Sequence, residues 1–155
     1  MALTGGQRLR ALSQPLAPRV LVVEDDDVTR QALVLGLGED AIVTGAVDVN
    51  QAARFAAIQP PDVIVLDLAL DPNRPGAVNG PEVLTRLRSK GIPVPPVIVV
   101  SAGIAGLETA KAIGAAAYFP KPINLGAVAD KIQELSRSAA RASAASLPED
   151  GAAAP

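Results

Sequence analysis

The sequence contains no cysteine and no histidine. Their absence excludes disulfides, Cys/His metal sites, cysteine nucleophiles and histidine-based triads, so any metal must be bound by hard oxygen ligands, as in a magnesium site. Charge of one sign is not in large excess either: 14 basic and 16 acidic residues give a net charge of -2. We therefore expect no broad attraction to nucleic acid or to anionic membranes.

Long apolar runs and a recognisable signal peptide are also missing. Arg8 and Arg10 interrupt the start of the chain, and no apolar run reaches the ~18 residues that a membrane span needs. The 155 residues, 49% of them hydrophobic, suit one domain with a proper core. We expect a cytoplasmic protein with a flexible leader over residues 1–18, one domain over 19–137 and an Ala-rich flexible tail over 138–155.

Five apolar segments that are typical of strands alternate with five predicted helices. Unbroken β-branched runs such as Val63–Leu66 and Val97–Val100 indicate strands buried on both faces of a parallel sheet. The other predicted strands are Arg19–Glu24, Ala41–Val47 and Ala115–Phe119. This alternation predicts an α/β protein with a flavodoxin-like, doubly wound parallel sheet of five βα units and the strand order 2-1-3-4-5.

Capping signals mark the start of the first two predicted helices. Asp26 or Asp27 can cap the first helix, and Asp48 and Gln51 have the spacing of a capping box at the second. Apolar residues at helical spacing predict the inner face of the first helix, which we assign to Val28, Ala32 and Leu35.

Chemically useful side chains follow four of the five predicted strands: Glu24 and Asp25 the first, Asp67 the third, Ser101 the fourth and Lys121 the fifth. Each has an ordinary alternative: the acidic residues as a solvated capping turn, Asp67 as a turn residue, Ser101 as a helix cap and Lys121 as an exposed cation. In the predicted strand order these ends lie side by side. Together they provide the residue types for magnesium-assisted phosphoryl transfer to Asp67.

Residues 19 to about 136 resemble the receiver domain of two-component response regulators of the chemotaxis type. The matching stretches, in order, are RVLVVEDDDVTR, PDVIVLDL, NGPEVL, VIVVSA and GAAAYFPKP. The resemblance implies that a sensor histidine kinase or histidine phosphotransfer protein donates a phosphoryl group in the presence of Mg²⁺. It also implies that the surface of the fourth helix, fifth strand and fifth helix then changes and binds a downstream protein, with the domain a monomer or a weak phosphorylation-dependent dimer.

The same resemblance assigns a role to each site residue, and it implies a cis bond before Pro122. The roles are Asp67 as phosphoacceptor; Lys121 and Ser101 as its catalytic partners; Ser101 and Tyr118 as the switch pair; and Glu24, Asp25, Asp67 and the carbonyl of Ala69 as metal ligands. Ala69, Ala102 and Gly103 are small residues that leave access to the phosphoryl group. We therefore expect water to remove the phosphate quickly, and we expect no enzymatic activity beyond self-phosphorylation and self-dephosphorylation.

Several alternatives stay open at this point. No effector segment follows Leu135, so we expect a stand-alone receiver without DNA-binding output, but a receiver piece of a larger response regulator or hybrid kinase fits as well. A magnesium-dependent phosphohydrolase with an aspartyl nucleophile is chemically close, although Ala69 occupies the place of its usual second Asp. A flavin binder of the same topology would need a phosphate-binding loop where the acidic run lies.

The loop from Asp67 to Gly80 is longer than is usual in receivers. Arg74 within it could meet phosphate or a partner, and a tolerated surface insertion explains the loop equally well.

Overall fold

A five-stranded parallel sheet forms the centre of the protein in the computed structural model, which describes residues 16–70 and 79–145. The strand order is β2-β1-β3-β4-β5, which confirms the predicted flavodoxin-like, doubly wound sheet. The strands are β1 (Arg19–Val23), β2 (Ile42–Ala46), β3 (Val63–Asp67), β4 (Val97–Ser101) and β5 (Ala117–Pro120). The helices are α1 (Asp27–Leu37), α2 (Val49–Ile58), α3 (Gly80–Ser89), α4 (Ile104–Ala112) and α5 (Leu125–Ala145).

Hydrophobic side chains fill both faces of the sheet. Every residue of β3 and β4 is buried, as their continuous apolar runs predict. Ile64 and Leu66 belong to a cluster with α2, α3 and α4, whereas Val63 and Val65 belong to one with α1 and α5. The sheet is therefore covered by helices on both faces, and the ends of its strands remain as the place for a polar site.

Side-chain caps begin four of the helices; at α5 the amide oxygen of Asn124 accepts from the N–H of Ala127 at 3.0 Å. The carboxylates of Asp26 and Asp48 and the amide oxygen of Asn79 each accept a hydrogen bond from the backbone N–H three residues on, at 2.8–2.9 Å. Gln51 completes the predicted capping box by accepting from the N–H of Val47. Such a cap typically stabilises a helix by about 1 kcal/mol. Helix α4 has no side-chain cap bond.

The predicted inner face of α1 is wrong. Val28 and Leu35 are 78% and 77% exposed, and Ala32 is exposed as well. The helix instead buries Leu33 and Leu37 in the cluster shared with α5. Two apolar stripes compete in this short sequence, and packing against the sheet and α5 selects the leucine pair.

Several predicted strands differ from the structure by one residue at an end, and two boundaries differ by more. Strand β5 begins at Ala117 rather than Ala115, because the turn after α4 extends through Gly114, which has a φ of +71°, and the N–H of Ala115 still bonds to the carbonyl of Ala110 at 2.9 Å. Helix α5 continues to Ala145, so residues 138–145, predicted as tail, are helical. Alanine-rich sequence of this kind favours a helix.

Three predicted segments lie outside the described residues. These are most of the leader (1–15), the loop that contains Arg74 (71–78) and the end of the tail (146–155). Within the described part of the chain, no helix combines the length and the apolar character needed to cross a bilayer.

Candidate functional site

Asp67 lies at the carboxyl end of β3, with its side chain buried. The parallel register sets its neighbours: Leu66 pairs with Val23 on β1, and Asp67 itself pairs with Val100 on β4. Glu24 and Ser101 each follow directly on these partners. The ends of the strands therefore converge at one edge, as their order predicts.

Lys121 directly follows β5, the edge strand next to β4, and lies at the same end of the sheet. Its backbone N–H donates to the carbonyl of Ser101 at 3.0 Å, which continues the pairing of β4 and β5. Its Nζ donates to Oδ2 of Asp67 at 3.1 Å and to Oε2 of Glu24 at 3.2 Å. The interpretation of Lys121 as an ordinary exposed cation is therefore wrong. Partial burial of the amine lowers its pKa, but the contacts with Asp67 and Glu24 outweigh that effect and raise the pKa of Lys121.

Three carboxylates crowd the same position. Glu24, Asp25 and Asp67 each place one oxygen within 4.8 Å of the others. Glu24 and Asp67 are only 1% and 2% exposed, and burial, with a further contribution from Asp67, raises the pKa of Glu24 to about 7. Among the described residues Lys121 pairs with Glu24 and Asp67, and the nearby Asp25 leaves the cluster with an excess of negative charge. Hard oxygen donors in this arrangement fit a divalent cation such as Mg²⁺, which would relieve that excess.

The loop after β1 is held by Arg30, a residue that sequence reasoning missed. Its guanidinium donates to the carbonyls of Glu24 and Asp25 at 3.0 and 3.4 Å, and it pairs with Asp27. Its aliphatic stem runs close over Gly45 of β2, where an added Cβ would lie 3.0 Å from Cγ of Arg30. An arginine one helical turn beyond an acidic run is the sequence signal. Arg30 therefore orients the backbone that presents both acids.

The loop after β3 is equally constrained. The N–H of Ala69 donates to Oδ1 of Asp67 at 3.0 Å, so the backbone of this loop orients the carboxylate. An added Cβ at Gly80 would lie 2.7 Å from both the carbonyl oxygen of Asp67 and Cα of Leu68. Only glycine lets α3 begin this close to the loop. Sequence reasoning missed this role, for which the Asn-Gly-Pro start of the helix was the available signal.

Ser101 and Tyr118 meet on the other side of the edge. Ser101 is buried, and within the described part of the chain its hydroxyl makes only a long contact of 3.4 Å to the carbonyl of Ala102. It does not cap α4, so that ordinary interpretation is wrong. The Tyr118 hydroxyl donates to the carbonyl of Gly103 at 2.9 Å and lies 3.4 Å from that of Ser101. Ala69, Ala102 and Gly103 are exposed.

The structure thus joins Glu24, Asp25, Asp67 and Lys121 in one pocket, and it joins Ser101 to Tyr118 at the start of α4. The predicted cis bond before Pro122 is confirmed. The predicted role of the Ala69 carbonyl as a metal ligand stays a prediction, as do the roles of Ala102 and Gly103.

Comparison with known proteins agrees with this arrangement. The family model described as "Response regulator receiver domain" matches residues 20–133. The chain therefore belongs to the response regulator receiver domain family, the receivers of two-component signalling. The expected resemblance is confirmed at this level.

Two curated relatives are longer than this chain, which matches only part of each. The transcriptional regulatory protein PrrA of Mycobacterium bovis is 38% identical over 128 residues, which are 78% of this chain and 51% of PrrA. The protein-glutamate methylesterase/protein-glutamine glutaminase 2 of Cereibacter sphaeroides is 38% identical over 112 residues, 68% of this chain and 28% of that protein. This chain thus spans about half of PrrA and less of the second relative. Because the two names describe different activities, the output of this chain does not follow from similarity.

Among solved structures, the receiver domain of the Francisella response regulator 1452 superposes with a TM-score of 0.66. It is 26% identical in sequence, and the match covers 79% of this chain and 98% of that one.

Proposed function

We propose that this domain is a phosphorylation-switched signalling receiver in which Asp67 accepts a phosphoryl group from a phosphohistidine of a sensor histidine kinase or histidine phosphotransfer protein. The observation that carries the proposal is the Asp67 carboxylate, buried at the end of a central strand, in contact with Lys121 and surrounded by two further acids. These 155 residues contain no histidine, so the donor histidine lies outside them.

The transfer is an in-line displacement at phosphorus. An oxygen of Asp67 forms a bond to phosphorus, the bond from phosphorus to the donor imidazole nitrogen breaks, and that nitrogen takes up a proton. Asp67 becomes an acyl phosphate. Lys121, which now contacts the free carboxylate at 3.1 Å, is placed to stabilise negative charge on the phosphoryl oxygens. In the reverse half of the cycle water attacks phosphorus, inorganic phosphate leaves and the carboxylate is restored.

Glu24, Asp25 and Asp67 are the side chains that would hold Mg²⁺, together with the carbonyl of Ala69. When bound, the cation supplies neutralisation of the carboxylates and of the phosphoryl group. The backbone contacts from Arg30 and from the N–H of Ala69 keep the acidic side chains oriented for this purpose.

The response is carried by Ser101 and Tyr118. A phosphoryl group on Asp67 offers new acceptor oxygens to the Ser101 hydroxyl, which has no strong partner now, and Tyr118 follows because it lies against the same backbone. The changed surface of α4, β5 and α5 then binds a downstream protein. We propose no nucleic-acid contact by this domain, and no catalysis beyond its own phosphorylation and dephosphorylation.

The test is the intact mass of the protein after incubation with acetyl phosphate and Mg²⁺. We expect one phosphoryl adduct in the wild type and its loss in Asp67→Asn or in excess EDTA. Asp62→Asn is the matched control, because Asp62 lies just before the opposite end of the same strand, where it accepts from the N–H of Arg19 at 2.8 Å. An adduct that persists in Asp67→Asn would contradict the proposal, and steady turnover of small phosphate esters would favour the phosphohydrolase alternative.

A further inference from the structure

Gly106 lies at the point where the two proposed switch residues meet. It is the third residue of α4 and is buried, although its immediate neighbours in the helix are exposed. An added Cβ would lie 2.8 Å from Cβ of Ser101, 2.9 Å from its Oγ and 3.1 Å from Cε2 of Tyr118. Cβ atoms do not approach other heavy atoms as closely as the first two distances, so any other residue would displace something.

The atoms around Gly106 differ in their freedom to move. Ser101 ends β4, which is buried along its whole length, so its Cβ is fixed by the sheet. The Tyr118 ring is only half-buried, and its position depends on the hydrogen bond from its hydroxyl to the carbonyl of Gly103. A side chain at position 106 would therefore displace the Tyr118 ring and the start of α4 before it displaced the strand.

Helix stability gives no reason for a glycine here. Glycine within a helix is destabilising relative to alanine. Helix α4 also lacks the side-chain cap that begins α1, α2 and α3. The space that Gly106 leaves is therefore kept at the expense of an already weakly started helix.

We propose that Gly106 is a positioning residue of the switch: its missing side chain is the space in which the Ser101 side chain and the Tyr118 ring pack together, so that a change at one is transmitted to the other. The inference rests on the proposed function for its signalling meaning. The dependence of the Tyr118 position on residue 106 is a statement about packing and does not rest on the proposed function.

The composition supplies a direct probe. Tyr118 is the only tyrosine and the chain has no tryptophan, so tyrosine emission reports this ring alone. We expect Gly106→Ala to roughly double the acrylamide quenching constant of Tyr118 in the unphosphorylated protein, since overpacking moves side chains out of place. We also expect the change in emission on addition of acetyl phosphate and Mg²⁺ to be lost, while the mass adduct on Asp67 persists.

The matched control is Gly126→Ala. Gly126 is the second residue of α5 and is exposed, and an added Cβ would meet only Oδ1 of Asn124 at 3.5 Å, an ordinary contact. This variant should keep both tyrosine signals of the wild type. If Gly106→Ala does not fold, the Ser101→Gly/Gly106→Ala double variant removes the clash with the strand and should restore folding, still with raised quenching of Tyr118.

Wild-type quenching in Gly106→Ala, or in the double variant, would overturn the inference even if the phosphoryl adduct forms. Absence of the adduct in the wild type would instead contradict the proposed function, and Gly106 would then be judged on the quenching of the unphosphorylated protein alone.

Discussion

The site has two halves that are built differently. The acceptor half, which consists of Glu24, Asp25, Asp67 and Lys121, has buried acids and charged contacts of 3.1 and 3.2 Å. The switch half consists of Ser101, Gly106, Tyr118 and the start of α4. In the part of the chain that the structure describes, the side-chain hydrogen bonds of Ser101 and Tyr118 are uncharged, one of 2.9 Å and two of 3.4 Å, and α4 begins without a side-chain cap.

This difference would separate the proposed acceptor chemistry from the proposed response. Charge-assisted hydrogen bonds are roughly twice as strong as neutral ones, so the acceptor half is expensive to rearrange. Regions with few strong contacts open at lower free energy. The Asp67 carboxylate is therefore held in a fixed place, whereas the half-buried Tyr118 ring on β5 lies beside it against the weakly started helix α4.

The largest expected effect comes from breaking the acceptor half at Lys121. Lys121→Met should lower the free energy of unfolding in EDTA by about 3 kcal/mol, because it leaves two buried carboxylates without their cation. Lys131→Met is the matched control: the two lysine side chains are 28% and 27% exposed, but Glu134, the partner of Lys131, is 64% exposed whereas Asp67 is 3% exposed. The control should lose less than about 0.5 kcal/mol. Urea denaturation measures the free energy of unfolding of both variants. Equal losses would show that the buried pair contributes no more to stability than the exposed one.

Binding of Mg²⁺ to the acceptor half should raise the free energy of unfolding, whereas loss of Lys121 lowers it. At a hundredfold excess over its Kd, Mg²⁺ should stabilise the fold by about 2.7 kcal/mol, a rise in Tm of about 5–10 °C. Asp25→Asn should remove most of that rise, because it takes one of the three oxygen donors away. Asp130→Asn changes an exposed acid on α5 and should keep the full effect. Thermal melts with Mg²⁺ and with EDTA distinguish the two, and an undiminished rise in Asp25→Asn would remove that residue from the metal site.

Stability in the absence of metal should depend on pH through Glu24. Burial raises its pKa from 4.5 to about 7, so between these values the folded state holds a proton that the unfolded chain has released. The free energy of unfolding should therefore fall, by about 2 kcal/mol, as pH rises from about 5 to about 8. The groups that face Glu24 are the carboxylates of Asp25 and Asp67, the amine of Lys121 and the N–H of Asp26. The raised pKa of Lys121 acts only above about pH 10, and the lowered pKa of Asp26 acts only below about pH 4.

Glu24→Gln is the variant that isolates this effect. An amide does not titrate, so the pH dependence between 5 and 8 should flatten in denaturation curves recorded in EDTA. A slope equal to that of the wild type would assign the pH dependence to another group.

The acceptor half is the part of the site that sequence predicts well. Glu24, Asp67 and Lys121 are far apart in the chain, but each directly follows or ends an apolar strand, and parallel order brings strand ends together. Caps such as Asp48 with Gln51 are equally local signals and were predictable for that reason.

The switch half is less predictable, because it depends on close approaches between elements that share no local pattern. The space at Gly106 exists only once α4 packs on β4 and β5, and in sequence that glycine indicates no more than a weak helix. The predicted inner face of α1 is wrong for a related reason. Two apolar stripes were available, and tertiary packing on α5 selected Leu33 and Leu37.

The smallest expected effects are the stability changes at Ala69 and Gly103, the two small residues predicted to give water access to the phosphoryl group. Ala69, in the acceptor half, is exposed, so Ala69→Asn should leave stability within about 0.5 kcal/mol of the wild type. Gly103, in the switch half, has a φ of +86°, so Gly103→Ala should cost about 1 kcal/mol although an added Cβ would meet nothing within 4 Å. Thermal melts measure this contrast.

Ala69→Asn is therefore the cleaner test of phosphate lifetime, and it should slow loss of the phosphoryl adduct several-fold by obstructing the attacking water. Quenched samples followed by intact mass give the decay rate. A rate unchanged in Ala69→Asn would refute the steric account. A slower rate in Gly103→Ala alone would show that lifetime depends on the backbone conformation of the switch half rather than on open space beside Asp67.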